Sequence, residues 1–137
     1  MEVSRAMPSP SGSTGPAIEV FDDGVRDRGV RAIRNIQSGE FIERSHVIVI
    51  LRAEWSRIET TILADYRFLW DEEDSAIALG FASLFNHSYS PNARYYRVLE
   101  KRELHFFALR DIAEGEALTV NYNGDPDDES PLWFAPR

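Results

Sequence analysis

The sequence contains no cysteine. This absence excludes disulfide bonds, thiolate zinc sites and cysteine nucleophiles, and it leaves the redox compartment undetermined. Lysine is almost absent as well, because Lys101 is the only lysine and the other cationic side chains, histidine aside, are arginine. No apolar run approaches the roughly 18–20 residues that a membrane-spanning helix requires. We therefore expect no membrane partner, and the cytoplasm is the default location of a chain whose compartment the sequence leaves unknown.

Positive charge is also scarce, since the formal net charge of the chain is -8. Binding along a phosphate backbone requires a surplus of Lys and Arg, so the composition argues against direct nucleic-acid binding and favours cationic partners. The 137 residues fit one compact domain. Residues 1–16 are rich in Pro, Ser and Gly and lack the features of a secretory signal, so we expect a flexible leader followed by a single domain over 17–137.

Short strands joined by tight turns dominate the predicted fold, which is mainly β. Segments 18–21 and 41–51 have strand character, and each lies next to glycine-containing turns. Segments 93–99 and 104–109 predict a hairpin, because the residues between them are charged. The last strand is predicted over 117–122. The final segment begins with an acidic turn region and ends in apolar residues that we expect to pack back.

One amphipathic helix is predicted between these strands. Apolar residues recur at helical spacing at Trp55, Ile58, Ile62 and Leu63, which favours a short helix within 53–63. A strand over 66–70 follows it. No clear repeat is evident, although segments 33–40 and 109–116 share a turn pattern that ends in Gly-Glu.

Three separated segments carry the candidate functional residues. They are, in order, RGVRA (28–32) with Gly-Glu (39–40), Asn-His-Ser (86–88) with Pro-Asn (91–92), and Gly-Glu (115–116) with Tyr122. Each segment alone is a weak signal, because glycine turns and Asn-Pro loops are common. Their order and spacing together resemble the SET-domain family of protein-lysine methyltransferases, in its small, zinc-free, stand-alone form. The resemblance covers nearly everything from Ile18 to Tyr122.

The resemblance implies a fold of small curled sheets, the SET-type β-clip, with a short helical insert and a knot-like C-terminal crossing. It also implies that S-adenosyl-L-methionine binds on one face and a lysine side chain enters from the other. Tyr122 matches the active-site tyrosine of the family, which would orient the amine. The alternative for Tyr122 is a strand-end tyrosine that packs its ring and hydrogen-bonds through its hydroxyl.

The same resemblance implies the cofactor-binding residues. Asn86 would contact the amino-acid end of the cofactor and the His87 backbone its adenine edge, whereas the alternative for His87 is a structural loop histidine. The backbone of the segment Arg28, Gly29, Val30 and Arg31 would approach the cofactor closely, which a missing side chain permits. An ordinary hairpin turn is the alternative for that segment. Trp133 or Phe134 would stack on the adenine, or both would instead close the core.

Some positions depart from the family pattern. Asp27 replaces a common glycine, Arg31 replaces a frequent aromatic, and Tyr89 stands where many members have a zinc-binding cysteine. We therefore expect no metal site, and closure of the C-terminal lid (123–137) by packing. The acidic residues of 125–129 would attract a basic substrate or would form a solvated face.

The sequence thus predicts an enzyme that transfers methyl groups from S-adenosyl-L-methionine to lysine in a basic protein, as a monomer or homodimer. Two alternatives remain open. One is a non-catalytic SET-fold module that binds a basic, lysine-bearing partner, and the other is a methyltransferase that acts on a small amine or on non-histone proteins. Lys101, at the predicted hairpin tip, is a candidate site of automethylation.

Overall fold

The computed structural model describes residues 16–22, 24 and 28–132. This part of the chain is mostly strand, and its helical segments are short, which confirms the predicted mainly β fold. The strands are β1 (Ile18–Asp22), β2 (Arg28–Ala32), β3 (Phe41–Ile50), β4 (Arg67–Leu69), β5 (Ser75–Ala78), β6 (Asn86–His87), β7 (Ala93–Val98), β8 (Glu103–Ala108) and β9 (Ala117–Val120). Residues 1–15 of the predicted leader and residues 133–137 of the predicted lid lie outside the described residues.

A four-stranded sheet has the order β1-β2-β9-β6. Its β1–β2 and β2–β9 pairs are antiparallel, whereas β6 lies parallel to β9. Parallel pairing requires a long connection, and here β7 and β8 lie between β6 and β9 in the sequence. The consequence is that segments far apart in sequence become neighbours around β9.

The second sheet has the order β4-β5-β3-β8-β7, and all its pairs are antiparallel. β3 lies at its centre and is irregular between Phe41 and Glu43. The predicted hairpin is present as β7 and β8, joined by a tight 3-10 turn at Leu99–Lys101. Side chains alternate between the two faces of a strand, so Leu104 and Phe106, two residues apart on β8, point to the same face and both lie in the core.

The predicted helix over 53–63 is wrong in extent. The α-helix α1 covers only Arg52–Trp55, turns follow, and a separate 3-10 helix spans Ile62–Tyr66. The Thr61 hydroxyl accepts the Leu63 N–H at 3.2 Å, which starts the second element with its own cap. Neither element has a buried residue, so no apolar face stabilises a continuous helix.

The two turns that share a Gly-Glu pattern form a structural pair. Ile36 and Ile112 exchange both backbone hydrogen bonds at 2.8 Å. In each turn the glutamate accepts a backbone N–H three residues earlier at 3.0 Å and pairs with an arginine, Arg34 for Glu40 and Arg110 for Glu116. The similarity noted in the sequence therefore reflects two equivalent turns that meet between the sheets.

Aromatic rings fill the core between the sheets. Phe85 stacks on Phe106 with ring centroids 4.6 Å apart, and Tyr95 packs against both Phe106 and Phe68. Such contacts fix neighbouring rings in defined orientations. The backbone at Phe85, just before β6, is thereby held in place.

Among the described residues, no helix combines the length and apolarity needed to span a membrane.

Candidate active site

Strand β9 brings the three sequence motifs together. Val30 of β2 lies opposite Leu118 on one side, and Asn86 of β6 lies opposite Thr119 on the other. Beyond the end of β6, the Ser88 N–H donates to the Val120 carbonyl at 3.0 Å. The Gly29, Asn86 and Tyr122 regions therefore belong to one small area of the four-stranded sheet.

Gly29 lies within strand β2, so the alternative of a hairpin turn over residues 28–31 is wrong. A Cβ atom at this position would lie 2.6 Å from Asn86 Nδ2 and 3.2 Å from Phe21 Cε1. Carbon and nitrogen do not approach that closely without a clash. The missing side chain of Gly29 therefore makes room for the Asn86 amide.

Asn86 is buried, with 4% of its surface exposed, and its Oδ1 atom has no hydrogen-bond partner. Buried polar groups without a partner are uncommon in proteins and indicate strain, function or a missing ligand. The free oxygen is an acceptor, so it suits a ligand that presents N–H groups. An ammonium group is one such ligand.

Tyr122, which the sequence predicts to be catalytic, orients His87. Its Nδ1 atom accepts the Tyr122 N–H at 3.0 Å, and its ring packs against the rings of Tyr122 and Tyr89. An accepting Nδ1 carries no proton, so the neutral ring carries its proton on Nε2, which is buried without a partner. Burial lowers the pKa of His87, which favours this neutral form.

Tyr122 follows β9 and points its hydroxyl towards the backbone before β6. The hydroxyl donates to the Phe85 carbonyl at 2.8 Å. It borders a narrow cavity of about 20 Å³, close to the space that a single water needs. Phe68, Phe85 and Tyr95 also line this cavity. The arrangement places a phenolic oxygen and a backbone carbonyl at the wall of a cavity that is lined by aromatic rings and by the charged residues Asp65 and Arg67.

Sequence reasoning missed Tyr95 as a site residue. Tyr95 is 6% exposed, and burial raises the pKa of its hydroxyl to about 12, so it stays neutral. Its oxygen would lie 3.6 Å from a Cβ atom at Gly124, so the turn after Tyr122 passes close to it. Alternation along β7 was the available signal, because Tyr95 and Tyr96 must face opposite sides of the sheet.

Two buried asparagines hold the backbone of the site, and sequence reasoning also missed their roles. Asn92 donates to the Ala117 carbonyl at 2.8 Å and accepts the Thr119 N–H at 2.9 Å. Asn121 donates to the Asp128 carbonyl at 2.6 Å. The first asparagine ties the loop after β6 to β9, and the second folds the segment after Tyr122 back.

Arg28 and Arg31 do not contribute side chains to this area. Arg31 pairs with Glu19 at 2.7 Å and lies over the Phe21 ring, on the exposed side of β2. Arg28 is exposed at the start of β2. Trp133 and Phe134 lie outside the described residues. Within residues 16–22, 24 and 28–132, no group of three His, Asp or Glu side chains is arranged to hold a metal ion.

Comparisons with known proteins agree with this architecture. The Schizosaccharomyces pombe protein named Histone-lysine N-methyltransferase, H3 lysine-37 specific, is 31% identical over 118 residues, which cover 85% of this chain and 76% of that protein. Human Histone-lysine N-methyltransferase 2B is 32% identical over 123 residues, which cover 83% of this chain but only 4% of that much longer protein.

The solved structure of the Neurospora SET domain protein DIM-5, a histone lysine methyltransferase, superposes with a TM-score of 0.63 and 23% identity, over 85% of this chain and 56% of that one. At this identity the likeness shows the fold alone. The sequence profile of the SET domain matches residues 27–123. The chain therefore belongs to the SET-domain family of protein-lysine methyltransferases.

Proposed function

We propose that this protein transfers a methyl group from S-adenosyl-L-methionine to the side-chain amine of a lysine in a protein substrate. The observation that carries the proposal is the convergence of Gly29, Asn86, His87 and Tyr122 on β9, beside a narrow aromatic cavity. The named relatives act on histone lysines, so histones are the first substrates to test.

The unpartnered polar atoms fit the proposed cofactor. Asn86 Oδ1 is an acceptor for the cofactor ammonium, and the missing side chain of Gly29 leaves room for the Asn86 amide that presents this oxygen. The His87 Nε2–H is a donor for an acceptor atom of the cofactor. When bound, the cofactor supplies an electrophilic methyl group on a cationic sulfur, and the protein supplies alignment.

The lysine amine must lose its proton before it can attack, because free lysine has a pKa of about 10.4. The aromatic part of the cavity lining disfavours the ammonium form through desolvation, which lowers the amine pKa. Asp65 and Arg67 also line the cavity, and their opposite charges act on that pKa in opposite directions. The Tyr122 hydroxyl and the Phe85 carbonyl lie together at the cavity wall. They can accept hydrogen bonds from the amine and hold it in line with the transferred methyl.

An adjoining cleft suits the substrate backbone. It has a volume of about 530 Å³ and shares Tyr95 with the cavity. Asp71 and Asp125 supply carboxylates to its lining, and Arg94 and Arg97 lie at its β7 wall. Acidic segments 71–74 and 125–129 border the cleft, which favours a substrate with basic residues around the target lysine.

The test is methyl transfer from radiolabelled cofactor to purified core histones, analysed by mass spectrometry to locate the modified lysine. Removing the hydroxyl with Tyr122→Phe should lower kcat by about 100-fold, the usual cost of losing one positioned hydrogen-bonding group. Asn86→Ala should instead weaken cofactor binding. Wild-type protein that transfers no methyl to any protein substrate, or a Tyr122→Phe variant with full activity, contradicts the proposal.

The non-catalytic module makes a different prediction. Calorimetric titration of the wild type with S-adenosyl-L-methionine should give micromolar affinity if the protein is an enzyme, and no heat of binding if it is only a module. Free lysine as a substrate tests the small-amine alternative. Transfer to free lysine at the same efficiency as to a histone would favour that alternative.

A further inference from the structure

A second groove lies on the outer face of the five-stranded sheet, away from the residues proposed to bind cofactor. It has a volume of about 650 Å³, and its apolar lining comes from Tyr96, Val98, Phe107 and Leu109. Tyr96 is 47% exposed and Leu109 is 37% exposed. Exposed apolar side chains gathered in one concave area indicate a binding surface more strongly than scattered ones do.

The groove walls are held by defined contacts. Tyr96 packs edge-on against Phe107 with ring centroids 5.7 Å apart, and the Arg94 guanidinium lies 4.4 Å from the Tyr96 ring centre. Arg97, on the same strand as Tyr96, donates to the Leu69 carbonyl of β4 at 3.0 Å, which fixes its side chain. Because these side chains are held in place, a ligand meets a surface that is already ordered.

The charge of this region is opposite to that of the whole chain. Between Ala93 and Arg110, five Lys or Arg residues stand against two Glu residues, a net charge of +3 in a chain of net charge -8. One of those glutamates, Glu103, is engaged by His105 at 2.9 Å. Glu100 is the only acidic residue among those that line the groove. The groove therefore attracts anionic groups while the rest of the surface repels them.

Strand β7 is also an edge strand of its sheet. Within the described residues, no other strand pairs with its outer side. An edge strand can accept an extended segment as an additional strand, in which backbone hydrogen bonds give affinity and side chains give specificity. The groove and the free edge lie on the same strand, so one extended ligand can use both.

The chemistry of the groove separates the candidate ligands. A nucleic acid would satisfy the arginines, but a duplex cannot fill an apolar groove, and the strongly acidic remainder of the protein would repel a long polyanion. The chain's own terminal segments do not complement the positive charge of the groove either. Residues 1–15 contain one Glu and one Arg, and the only charged side chain in residues 133–137 is Arg137. An acidic protein segment with an apolar side chain satisfies both features.

We propose that β7 and its outer groove form a docking site for an extended acidic segment of a partner protein. The carboxylates of the segment lie against Arg94 and Arg97, and an apolar side chain inserts between Tyr96 and Leu109. The groove adjoins the cleft proposed for the substrate, because Arg94, Tyr96 and Arg97 line both, but peptide docking does not depend on methyl transfer. Its role would be to bring a partner to the enzyme beside the cleft in which the substrate binds.

The test is fluorescence anisotropy with the full chain in the absence of cofactor. The probe is a labelled glutamate-rich peptide that contains one phenylalanine, compared with the same peptide in which serine replaces the phenylalanine. The wild type should bind the first peptide about tenfold more tightly than the second, as expected for burying one aromatic side chain. Leu109→Ser, at an exposed position, should abolish that preference without unfolding the protein.

Arg97→Glu and Arg57→Glu form a matched pair, because both change the net charge equally and Arg57 is an exposed residue far from the groove in sequence. Arg97→Glu should weaken binding of the phenylalanine peptide by about tenfold or more, and Arg57→Glu by less than about twofold. Equal losses in both variants would overturn the proposal, as would an absence of peptide binding.

Two further outcomes would also overturn it. One is tighter binding of a single-stranded oligonucleotide than of the peptide. The other is a wild-type protein that sediments as a dimer and does not bind the peptide, together with an Arg97→Glu variant that sediments as a monomer. The groove of the wild type would then be occupied by a second copy.

Discussion

Gly29 and Asn86 act as a pair, since the absence of a side chain at one position allows the amide of the other to remain buried. The backbone of Gly29 is not in the left-handed region, so the position needs glycine for space rather than for conformation. The other described glycines have positive φ angles, which is the more usual reason for glycine. This difference allows an experiment to separate cofactor binding from backbone strain.

We predict that Gly29→Ala weakens cofactor binding about tenfold or more. The new methyl group would overlap the Asn86 amide at 2.6 Å and displace it, and overpacking of this kind costs about 1–3 kcal/mol. Isothermal titration with S-adenosyl-L-methionine measures the effect. Gly39→Ala is the control: it has φ +84 and open space around it, so it should lower stability and leave cofactor affinity unchanged. Equal affinities of Gly29→Ala and wild type would refute the prediction.

His87 gives the site a pH dependence. Protonation would place a hydrogen on Nδ1, which could then no longer accept the Tyr122 N–H. Burial lowers the pKa of His87 in the folded protein, so the unfolded chain binds more protons once the pH falls below its own histidine pKa of about 6.5. The stability contributed by neutral His87 is present above that pH and is lost as the pH falls towards the lowered folded pKa.

We therefore predict that the free energy of unfolding of the wild type falls more steeply than that of His87→Asn between about pH 7 and pH 5. The asparagine oxygen can accept the Tyr122 N–H and does not titrate in this range. Urea denaturation at several pH values measures both proteins, and their difference removes the contribution of all other groups. Parallel pH profiles for the two proteins would show that His87 does not titrate as described.

At the scale of elements, the loop that follows β6 is held to β9 by one side chain. The Asn92 side chain bonds to β9 as the backbone of a neighbouring strand would, since it donates to the Ala117 carbonyl and accepts the Thr119 N–H. Asn92 is 2% exposed. This bond pair fixes the parallel β6–β9 contact on which the relative positions of Asn86 and Tyr122 depend. A structural residue thus determines the geometry of the site from outside it.

We predict that Asn92→Ala lowers the free energy of unfolding by about 2–4 kcal/mol, because two backbone groups lose buried partners. Chemical denaturation provides the measurement. Asn35→Ala is a suitable comparison, since Asn35 accepts one backbone N–H from Glu114 at an exposed position and its loss should cost less than about 1 kcal/mol. Similar values for the two variants would contradict the assigned role of Asn92.

Local pattern predicted some elements well and failed for others. The strand over 41–51 and the hairpin of 93–109 appear within one or two residues, because β-branched and aromatic residues favour strands. The same apolar residues do not all report burial, since Ile48 and Leu51 are each 55% exposed. The helix over 53–63 failed because helical spacing of apolar residues does not ensure a buried face, and the Thr61 cap starts a new element. The last strand ends at Val120, two residues early, and Asn121 begins the turn.

The spatial relations of the site could not be read from periodicity. The bonds from Tyr122 to His87 and to Phe85 join residues at least 35 positions apart. Parallel pairing of β6 with β9 has no local signature, so only the resemblance to a known family placed these segments together. The buried tyrosine Tyr95 was visible as strand alternation, but nothing in the sequence indicated which sheet face borders the cavity.

At the scale of the whole molecule, charge is divided between surfaces. The segment 93–110 is basic, and its Arg94 and Arg97 form one wall of the cleft proposed for the substrate, whereas Asp71 and Asp125 contribute carboxylates to the same cleft. Attraction between exposed charges decays over about 8 Å at physiological ionic strength and over about 3 Å in 1 M salt. A basic substrate should therefore be recruited less well as salt increases, while the chemistry inside the narrow cavity should be less affected.

We predict that KM for a lysine-containing basic peptide rises about threefold to tenfold between about 0.05 and 0.3 M salt, with kcat little changed. The double variant Asp71→Asn with Asp125→Asn should have a raised KM at low salt and a weaker salt dependence, because both carboxylates line the cleft. Glu114→Gln, at an exposed position in the turn before β9, is the control and should behave as wild type. If the double variant keeps the full salt dependence, the substrate is attracted by charges elsewhere on the surface.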